Sequence, residues 1–352
     1  MDRRTFLMTS GAALAGPSLA RASQDYLGRW SKRTDMPFAA QEIYPAAFRC
    51  GGEPVIVVAG GITAGDGGRL GVTDKCAFYV AVADIWNMGA TLPAPRHHLA
   101  LASADGALFA VGGFAADEQG QWRMQRDVWR IDDLNREKWR PVAPLPLPQA
   151  EAVTLSHDGV IHVIGGRTPK GDRNQDWSDQ TDTPMHWIYD PKADKWEARA
   201  PLPLARNSAA GAVWGGDLFV LSGRTVAGGN TPACHSYDGK ADQWSQLAPM
   251  PNWTRGAPAG RGGHAAAVME ERGICVFGGE WFGDNSGVYD SNLVYDPARK
   301  RWTGYAPAMP RPRHGLGAVS LGGSIYTIGG ATGAGAVGTC AFVDRFDRAQ
   351  QG

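Results

Sequence analysis

Apolar and polar positions follow one another in a block that recurs six times along the chain. Each copy is a short apolar run ending in a glycine pair, although Ser222 replaces the first glycine of one pair. Short apolar runs bounded by glycine are typical of buried β-strands followed by tight turns. The copies are spaced by 51–57 residues and comprise Val55–Gly61, Leu108–Gly113, Val160–Gly166, Leu218–Gly223, Ile274–Gly279 and Ile325–Gly330.

Aromatic residues follow the same period. Tyr-Asp pairs occur seven residues before a tryptophan in three copies, as at Tyr189, Tyr237 and Tyr295. A period near 50 residues with short strands predicts a β-propeller. Together, the glycine, tyrosine and tryptophan positions resemble the Kelch repeat over about residues 26–346. The resemblance implies an all-β fold, a six-bladed β-propeller with aromatic rings between the blades. The tryptophans of the ladder are Trp30, Trp86, Trp139, Trp196, Trp244 and Trp302.

The two ends of the chain predict how the ring closes. Trp30 precedes the first glycine pair, whereas only the segment Cys340–Phe346 follows the last pair as a strand. The first tryptophan is therefore assigned to the last blade. We expect the segment Leu27–Lys32 to be the outer strand of that blade, which leaves no unpaired sheet edge. Residues 23–352 then form one propeller domain.

Composition and charge exclude several classes of protein. The 352 residues include 35 Lys+Arg and 35 Asp+Glu, so the formal charge is zero. This balance lacks the basic surface of a nucleic-acid-binding or membrane-surface protein. No apolar run reaches the length of about 18 residues that a membrane-spanning helix needs. The five cysteines include no C-x-x-C motif, and buried free thiols are expected.

The N-terminus predicts export. Arg3 and Arg4 precede Phe6-Leu7 and a Gly/Ala-rich stretch that ends at Ala22. This order is typical of a signal peptide, and the arginine pair resembles the twin-arginine signal. We expect residues 1–22 to be removed and the mature protein to be periplasmic.

Two classes of loop predict the location of the ligand site. One follows the glycine pairs and the other leads into the innermost strands, and propeller topology brings both to one mouth of the channel. Function usually lies on such loops. The candidate ligand-binding residues are Arg96, His98, Glu151, Arg167, Arg206, Arg224, Arg261, His264, Glu280, Arg313 and His314.

The six arginines have two interpretations. They can bind an anion through bidentate hydrogen bonds, or they can bond neighbouring loop carbonyls. Arg167, Arg224 and Glu280 favour the first, since a small residue would serve those turns. On that interpretation, removing Arg167 or Arg224 would weaken ligand binding and leave the melting temperature nearly unchanged. His98, His264 and His314 lie at the starts of inner strands in three different blades. They lack the short sequence spacing of a local metal-binding motif, so no metal and no cofactor are expected.

Two hypotheses of function remain. The first is an exported propeller that binds a small anionic or carbohydrate ligand, or a protein partner, with Trp122, Trp177 and Trp281 on its long polar loops. The second is a sugar-acid mutarotase similar to N-acetylneuraminate epimerase. That resemblance implies an acid-base carboxylate beside an arginine, here Glu280 with Arg224 or Arg261. Galactose oxidase shares the Kelch propeller but has seven blades and flanking domains, so its copper chemistry is not expected.

Overall fold

Six four-stranded antiparallel sheets form a ring around a central channel. The structure is a computed structural model and describes residues 28–64, 70–174, 177–254 and 256–349. The predicted signal peptide, residues 1–22, lies outside the described residues. The architecture confirms the predicted all-β, six-bladed propeller.

The first strand of each blade lines the channel and the later strands follow outward. Blade 1 is Ala46–Cys50, Glu53–Ala59, Cys76–Val80 and Ile85–Met88, and blade 2 is Ala100–Ala104, Ala107–Val111, Val128–Ile131 and Arg140–Pro141. Blade 3 is Val153–His157, Val160–Ile164, His186–Asp190 and Lys195–Arg199, and blade 4 is Ala210–Trp214, Asp217–Leu221, Cys234–Asp238 and Gln243–Gln246. Blade 5 is Ala265–Met269, Gly273–Phe277, Asn292–Asp296 and Arg301–Ala306, and blade 6 is Gly317–Leu321, Ser324–Ile328, Val343–Asp347 and Arg29–Lys32.

Two-stranded ribbons connect the second and third strands of blades 1 to 5 and rise over the channel mouth. They pair Ile62–Ala64 with Leu70–Val72, Phe114–Ala116 with Trp122–Met124, Arg167–Pro169 with Gln180–Asp182, Arg224–Thr225 with Gly229–Asn230, and Glu280–Trp281 with Gly287–Val288. The third ribbon also carries a short 3-10 turn, Trp177–Asp179.

The ring closes through the N-terminal strand, as predicted. Arg29–Lys32 pairs antiparallel with Val343–Asp347, and Trp30 lies opposite Phe346. The Trp30 indole packs on Phe346 and Phe277, with ring centroids 4.9 and 5.6 Å away. Its N–H donates to the Pro307 carbonyl at 2.9 Å. The last blade therefore contains both ends of the described chain.

The repeated aromatic residues join neighbouring blades. All six tryptophans of the ladder donate an indole N–H to a backbone carbonyl about one repeat earlier in the ring. The Tyr189 and Tyr237 hydroxyls donate to Asp194 and Asp242, each at 2.7 Å. Buried tyrosine and tryptophan need such polar partners. These contacts support the structural interpretation of the repeated aromatics.

The glycine pairs are required where the second strand meets the next blade. Gly278 has a φ of 60°, and a Cβ there would lie 2.1 Å from the Arg313 carbonyl oxygen. Ser222 adopts the same left-handed conformation, with a φ of 54°. Its hydroxyl donates to the Thr231 carbonyl at 2.8 Å, which gives the buried side chain a partner. All five cysteines are buried and free, as expected.

Candidate functional site

The two predicted loop classes meet at one mouth of the channel. The residue after each glycine pair bridges to a residue just before the inner strand of the same blade. Ala150 bridges to Arg167, and Gly262 bridges to Glu280. The same bridge recurs in every blade, so the chain repeats one geometry six times around the mouth. The sequence prediction that both classes converge is confirmed.

Directly after these bridges, one residue of each blade has a left-handed backbone. Two of the six are glycines, and the others carry side chains. Backbone hydrogen bonds connect neighbours, for example from the Glu42 N–H to the Gly315 carbonyl at 2.7 Å and from the His98 N–H to the Glu42 carbonyl at 3.0 Å. We call these six residues the mouth ring: Glu42, His98, Glu151, Ser208, Gly263 and Gly315.

The side chains of the mouth ring are a sign of function. A left-handed conformation costs a non-glycine residue roughly 1–2 kcal/mol. Glu42, His98, Glu151 and Ser208 keep φ values of 49–56° where glycine would relieve that cost. Such strain is concentrated at binding and catalytic sites. The ring therefore holds two carboxylates, an imidazole and a hydroxyl around the channel axis.

Above the mouth ring lies a cavity of about 340 Å³. Its floor is polar, with three glutamates, two arginines and two histidines. Its upper wall includes the apolar side chains of Ile62, Trp122, Val226 and Phe282. A volume of this size is at the lower end of the range for small-molecule sites. The seven charged or titratable floor residues are Glu42, His98, Glu151, Arg167, Arg224, Glu280 and His314.

Glu151 lies at the centre of one half of the floor. Its Oε1 lies 3.2 Å from Arg167 Nε, and its Oε2 accepts the Ser208 hydroxyl at 2.5 Å. Arg224 Nη2 is 3.6 Å from the same carboxylate. Burial raises the pKa of this carboxyl, but Arg167, His98 and Arg224 hold it below its ordinary value. Glu151 is therefore a buried carboxylate in a network of donors.

Glu280 connects the other half of the floor. Its Oε1 accepts from Arg224 Nη1 at 2.8 Å, and its Oε2 accepts the Gly335 N–H at 2.7 Å. His314 Nδ1 lies 3.3 Å from Glu280 Oε2 and 3.5 Å from Glu42 Oε1. The second oxygen of Glu42, Oε2, is 2.9 Å from His98 Nε2. Groups from blades 1, 2, 4, 5 and 6 thus form one continuous network.

The network shifts the pKa values of its members in opposite directions. Burial raises the pKa of Glu42, but His98 and His314 bring it well below its ordinary value. Burial lowers the pKa of His314, whereas Glu42 and Glu280 raise it above its ordinary value overall. Burial likewise lowers the pKa of Arg224, and its glutamate neighbours raise it overall. Perturbed groups of this kind, clustered in a cleft, are candidates for a functional site.

The prediction that six arginines surround the mouth is wrong for four of them. Arg206 donates to the carbonyls of Ser222, Leu204 and Val220. Arg261 donates to Gly278 and Ser291, Arg313 pairs with buried Asp344, and Arg96 pairs with Asp127. These arginines lie two residues before the mouth ring and do not line the pocket, and the other two also donate to loop carbonyls, Arg96 to Pro95 and Arg313 to Arg311. The bonding of loop carbonyls, left open by the sequence, describes Arg96, Arg206, Arg261 and Arg313.

The three predicted histidines do not occupy equivalent positions. His98 belongs to the mouth ring, His314 lies one residue before it, and His264 lies one residue after it. His264 is buried below the mouth, where its Nε2 lies 3.0 Å from the Leu221 carbonyl oxygen. Burial and Arg261 lower its pKa to about 3. It does not line the pocket.

Sequence reasoning missed Glu42, which precedes the first inner strand. The available signal was positional: aligned with Gly263 and Gly315, Glu42 replaces glycine just as Glu151 does. Of the three tryptophans expected near the site, Trp122 lines the pocket. Trp281 instead packs on Tyr289, with ring centroids 4.7 Å apart. The side chain of Trp177 lies outside the described residues.

The fold and the mouth site together define a six-bladed β-propeller with a polar pocket on its axis. A family model described as the KLHDC2/KLHL20/DRC7 Kelch-repeats domain matches residues 97–330, more than half of the chain. The chain therefore belongs to the Kelch-repeat family, as the sequence predicted.

Individual proteins agree with this assignment. Kelch-like protein terF of Aspergillus terreus is 28% identical over 88% of this chain and 66% of its own length. Beta-scruin of Limulus polyphemus is 26% identical over 79% of this chain and 30% of its own. The chain thus spans less than two thirds of the length of these relatives. Among solved structures, that titled "Structure of YjhT" has a TM-score of 0.71 at 18% identity, covering 90% of this chain and 96% of that one.

Kelch propellers commonly bind proteins or small ligands. Among the helices of the described residues, there is none long and apolar enough to cross a membrane.

Proposed function

We propose that the protein binds a small carbohydrate in the pocket above the mouth ring. The observation that carries the proposal is the combination of a buried floor of carboxylates, guanidinium groups and imidazoles with an aromatic upper wall. Sugar hydroxyls need donors and acceptors side by side, and the apolar faces of sugar rings pack on aromatic side chains. Trp122 and Phe282 provide such faces.

The internal pairing of the floor favours a hydroxyl-rich ligand over a simple anion. Arg224 already faces Glu280 and Glu151, and Arg167 already faces Glu151. An anion would have to approach three buried carboxylates, which opposes its binding. A sugar hydroxyl can donate to a carboxylate and accept from a guanidinium group at once.

A binding screen tests the proposal. Neutral hexoses, N-acetylhexosamines, sugar acids, phosphate and citrate are compared by thermal shift and then by calorimetry. We expect a sugar to bind and Trp122→Ala or Phe282→Ala to weaken it about tenfold, because these side chains provide the aromatic faces of the upper wall. Trp253→Ala removes an exposed aromatic that does not line the pocket, so this control should bind normally. Binding of phosphate or citrate without any sugar would refute the proposal.

A mutarotase is the second candidate, and the Arg224–Glu280 contact favours it. The resemblance to N-acetylneuraminate epimerase implies a carboxylate beside an arginine, and Arg224 fits that role because Arg261 points away from the pocket. Glu280 would move a proton at the anomeric centre, as general acid-base catalysis requires. Magnetization-exchange NMR of sialic acid anomers tests this activity. Wild-type protein should accelerate exchange between the anomers, and Glu280→Gln should abolish this acceleration and spare binding. If the wild type leaves the exchange rate unchanged, the mutarotase activity is excluded.

We further propose that this binding occurs in the periplasm after twin-arginine export. Arg3 and Arg4, followed by an apolar and small-residue stretch, support this proposal.

A further inference from the structure

Three buried side chains from different blades direct one donor atom each at a common point. Glu42 comes from the mouth ring, Glu280 follows the glycine pair of blade 5, and His314 precedes the inner strand of blade 6. One carboxylate oxygen of each glutamate and one imidazole nitrogen lie within 4.8 Å of one another. All three residues are at least 93% buried.

The remaining polar atoms of these side chains are fixed by other partners. Glu42 Oε2 pairs with His98 Nε2 at 2.9 Å, and Glu280 Oε1 pairs with Arg224 Nη1 at 2.8 Å. His314 Nε2 lies 2.7 Å from the Gly335 carbonyl oxygen. Glu42 Oε1, Glu280 Oε2 and His314 Nδ1 are therefore the atoms left facing one another, and the Gly335 N–H uses one lone pair of Oε2. Outer contacts that orient ligands in this way are characteristic of metal sites.

The tautomer of His314 makes this arrangement unstable without a cation. A backbone carbonyl only accepts hydrogen bonds, so His314 Nε2 carries a hydrogen. In the neutral imidazole, Nδ1 then presents a lone pair to two carboxylate oxygens, 3.3 and 3.5 Å away, and it makes no hydrogen bond. Lone pair and carboxylates repel one another unless a proton or a metal ion lies between them.

His264 shows that the facing carboxylates are the distinguishing feature. It is equally buried, its Nε2 also lies near a backbone carbonyl oxygen, and its Nδ1 also makes no hydrogen bond. However, burial and Arg261 lower its pKa to about 3, because its charged neighbour is a cation. The two histidines share one bonding pattern in opposite electrostatic surroundings.

The charge of the whole floor also favours a bound cation. Among the described residues that line the pocket, three carboxylates face two guanidinium groups. One negative charge is left uncompensated unless a histidine takes a proton or a cation binds. Buried charges of this kind need compensation.

We propose that Glu42, Glu280 and His314 bind one divalent first-row transition-metal ion, with zinc as the type case. Donor separations of 3.3 and 3.5 Å suit ligands that each lie about 2.0–2.2 Å from a common ion. One imidazole and two carboxylates form a donor set suited to Zn²⁺ or Mn²⁺. These three ligands include no thiolate, which blue-copper and iron–sulfur centres require. Three protein ligands leave coordination positions open toward the pocket. This metal site goes beyond the proposed carbohydrate binding and does not depend on it.

Calorimetry on the chelator-treated full chain tests the site, with ZnCl₂ as the probe and MgCl₂ as the comparison. We expect one Zn²⁺ per chain, bound more tightly than Mg²⁺. Loss of even an outer contact typically costs 10–100-fold in metal affinity, so Glu280→Gln or His314→Gln should cost about a hundredfold or more. His264→Gln is the matched control, because it removes a buried imidazole with the same carbonyl contact, and it should bind zinc like the wild type.

Two results would overturn the metal site. Either the wild type binds no stoichiometric zinc, or zinc binding survives in both ligand variants. In each case the cluster is an imidazolium shared by two carboxylates. If a variant fails to fold, the visible spectrum of the Co²⁺-loaded wild type decides, since bands of a nitrogen- and oxygen-ligated site are expected and aquo-cobalt bands contradict the proposal. Sugar binding is measured separately, in the presence of a chelator. Its outcome tests the proposed function and does not depend on whether the metal site exists.

Discussion

The contact between Arg224 and its two glutamates allows a quantitative prediction about stability. Arg224 lies 2.8 Å from Glu280 and 3.6 Å from Glu151, and both carboxylates are 2% exposed or less at the side chain. At an effective dielectric of about 20, Coulomb's law gives about 6 and 5 kcal/mol for these separations. The cost of burying the three charges offsets much of this attraction. Breaking such a pair typically costs about 3–5 kcal/mol, because a buried charge loses its partner.

Arg224→Met should therefore lower the free energy of unfolding by about 3–5 kcal/mol. The sequence had suggested that an arginine variant would melt almost normally, and burial of both glutamates reverses that expectation. Glu280→Gln in the same chain should restore part of the loss, since it removes one uncompensated carboxylate. We expect a coupling energy of about 2 kcal/mol from the double-mutant cycle, within the range for groups in contact.

Urea unfolding of the wild type, both single variants and the double variant measures the coupling. The matched control is Arg96 with Asp127, a closer ion pair at 2.6 Å whose carboxylate side chain is 49% exposed. Because water screens the half-exposed Asp127 carboxylate, this coupling should stay below about 1 kcal/mol. If the Arg224–Glu280 coupling is no larger than that of the control, the buried network does not stabilise the mouth, and the reasoning fails.

Three further predictions follow from the ring, the buried histidines and the N-terminus. Trp30→Ala should lower the free energy of unfolding by about 2–4 kcal/mol, somewhat less than the same substitution at a fully buried tryptophan. If urea unfolding of this variant matches that of the wild type, closure of the ring by this strand is contradicted. Burial lowers the pKa values of His264 and His186 to about 3. As the pH falls, these two imidazoles are therefore protonated in the unfolded chain at a higher pH than in the folded protein. Stability should fall below about pH 6.5 by up to about 1.4 kcal/mol per pH unit for each; urea unfolding at pH 7, 6 and 5 measures this slope, which His264→Gln should reduce. Replacing Arg3 and Arg4 with Lys should trap the precursor in the cytoplasm, and continued processing in fractionated cells would exclude the twin-arginine route.

Most of the fold was predictable because its determinants are repeated. A single glycine pair says little about the fold, but six copies at a similar spacing indicate six blades. Trp30, which precedes the first glycine pair, indicates how the ring closes. Local steric constraints were sufficient for this prediction. Where the end of a strand lies against a backbone carbonyl, as at Gly278, there is little room for any residue other than glycine. The repeat therefore specifies the scaffold almost completely.

The site was predictable only in part, because side-chain direction depends on neighbours far away in sequence. Arg224 and Arg261 lie on converging loops, yet one enters the pocket and the other donates to Gly278 and Ser291. No local pattern separates them. Glu42 was missed because it precedes the first glycine pair, outside the repeats that follow it. Aligning the six mouth-ring positions, where Gly263 and Gly315 correspond to side-chain-bearing residues in the other blades, would have found it.

Ring closure has a consequence for when the site comes into existence during synthesis. Glu42 leaves the ribosome early, whereas His314 and the strand Val343–Asp347 emerge last. The first five blades can form in order, but the sixth has to wait until its outer strand, made near the start, meets a partner some 300 residues later. Long-range pairing of this kind is intrinsically slow. A nascent or truncated chain thus has an incomplete pocket, and only a finished, closed ring brings Glu42 and His314 together.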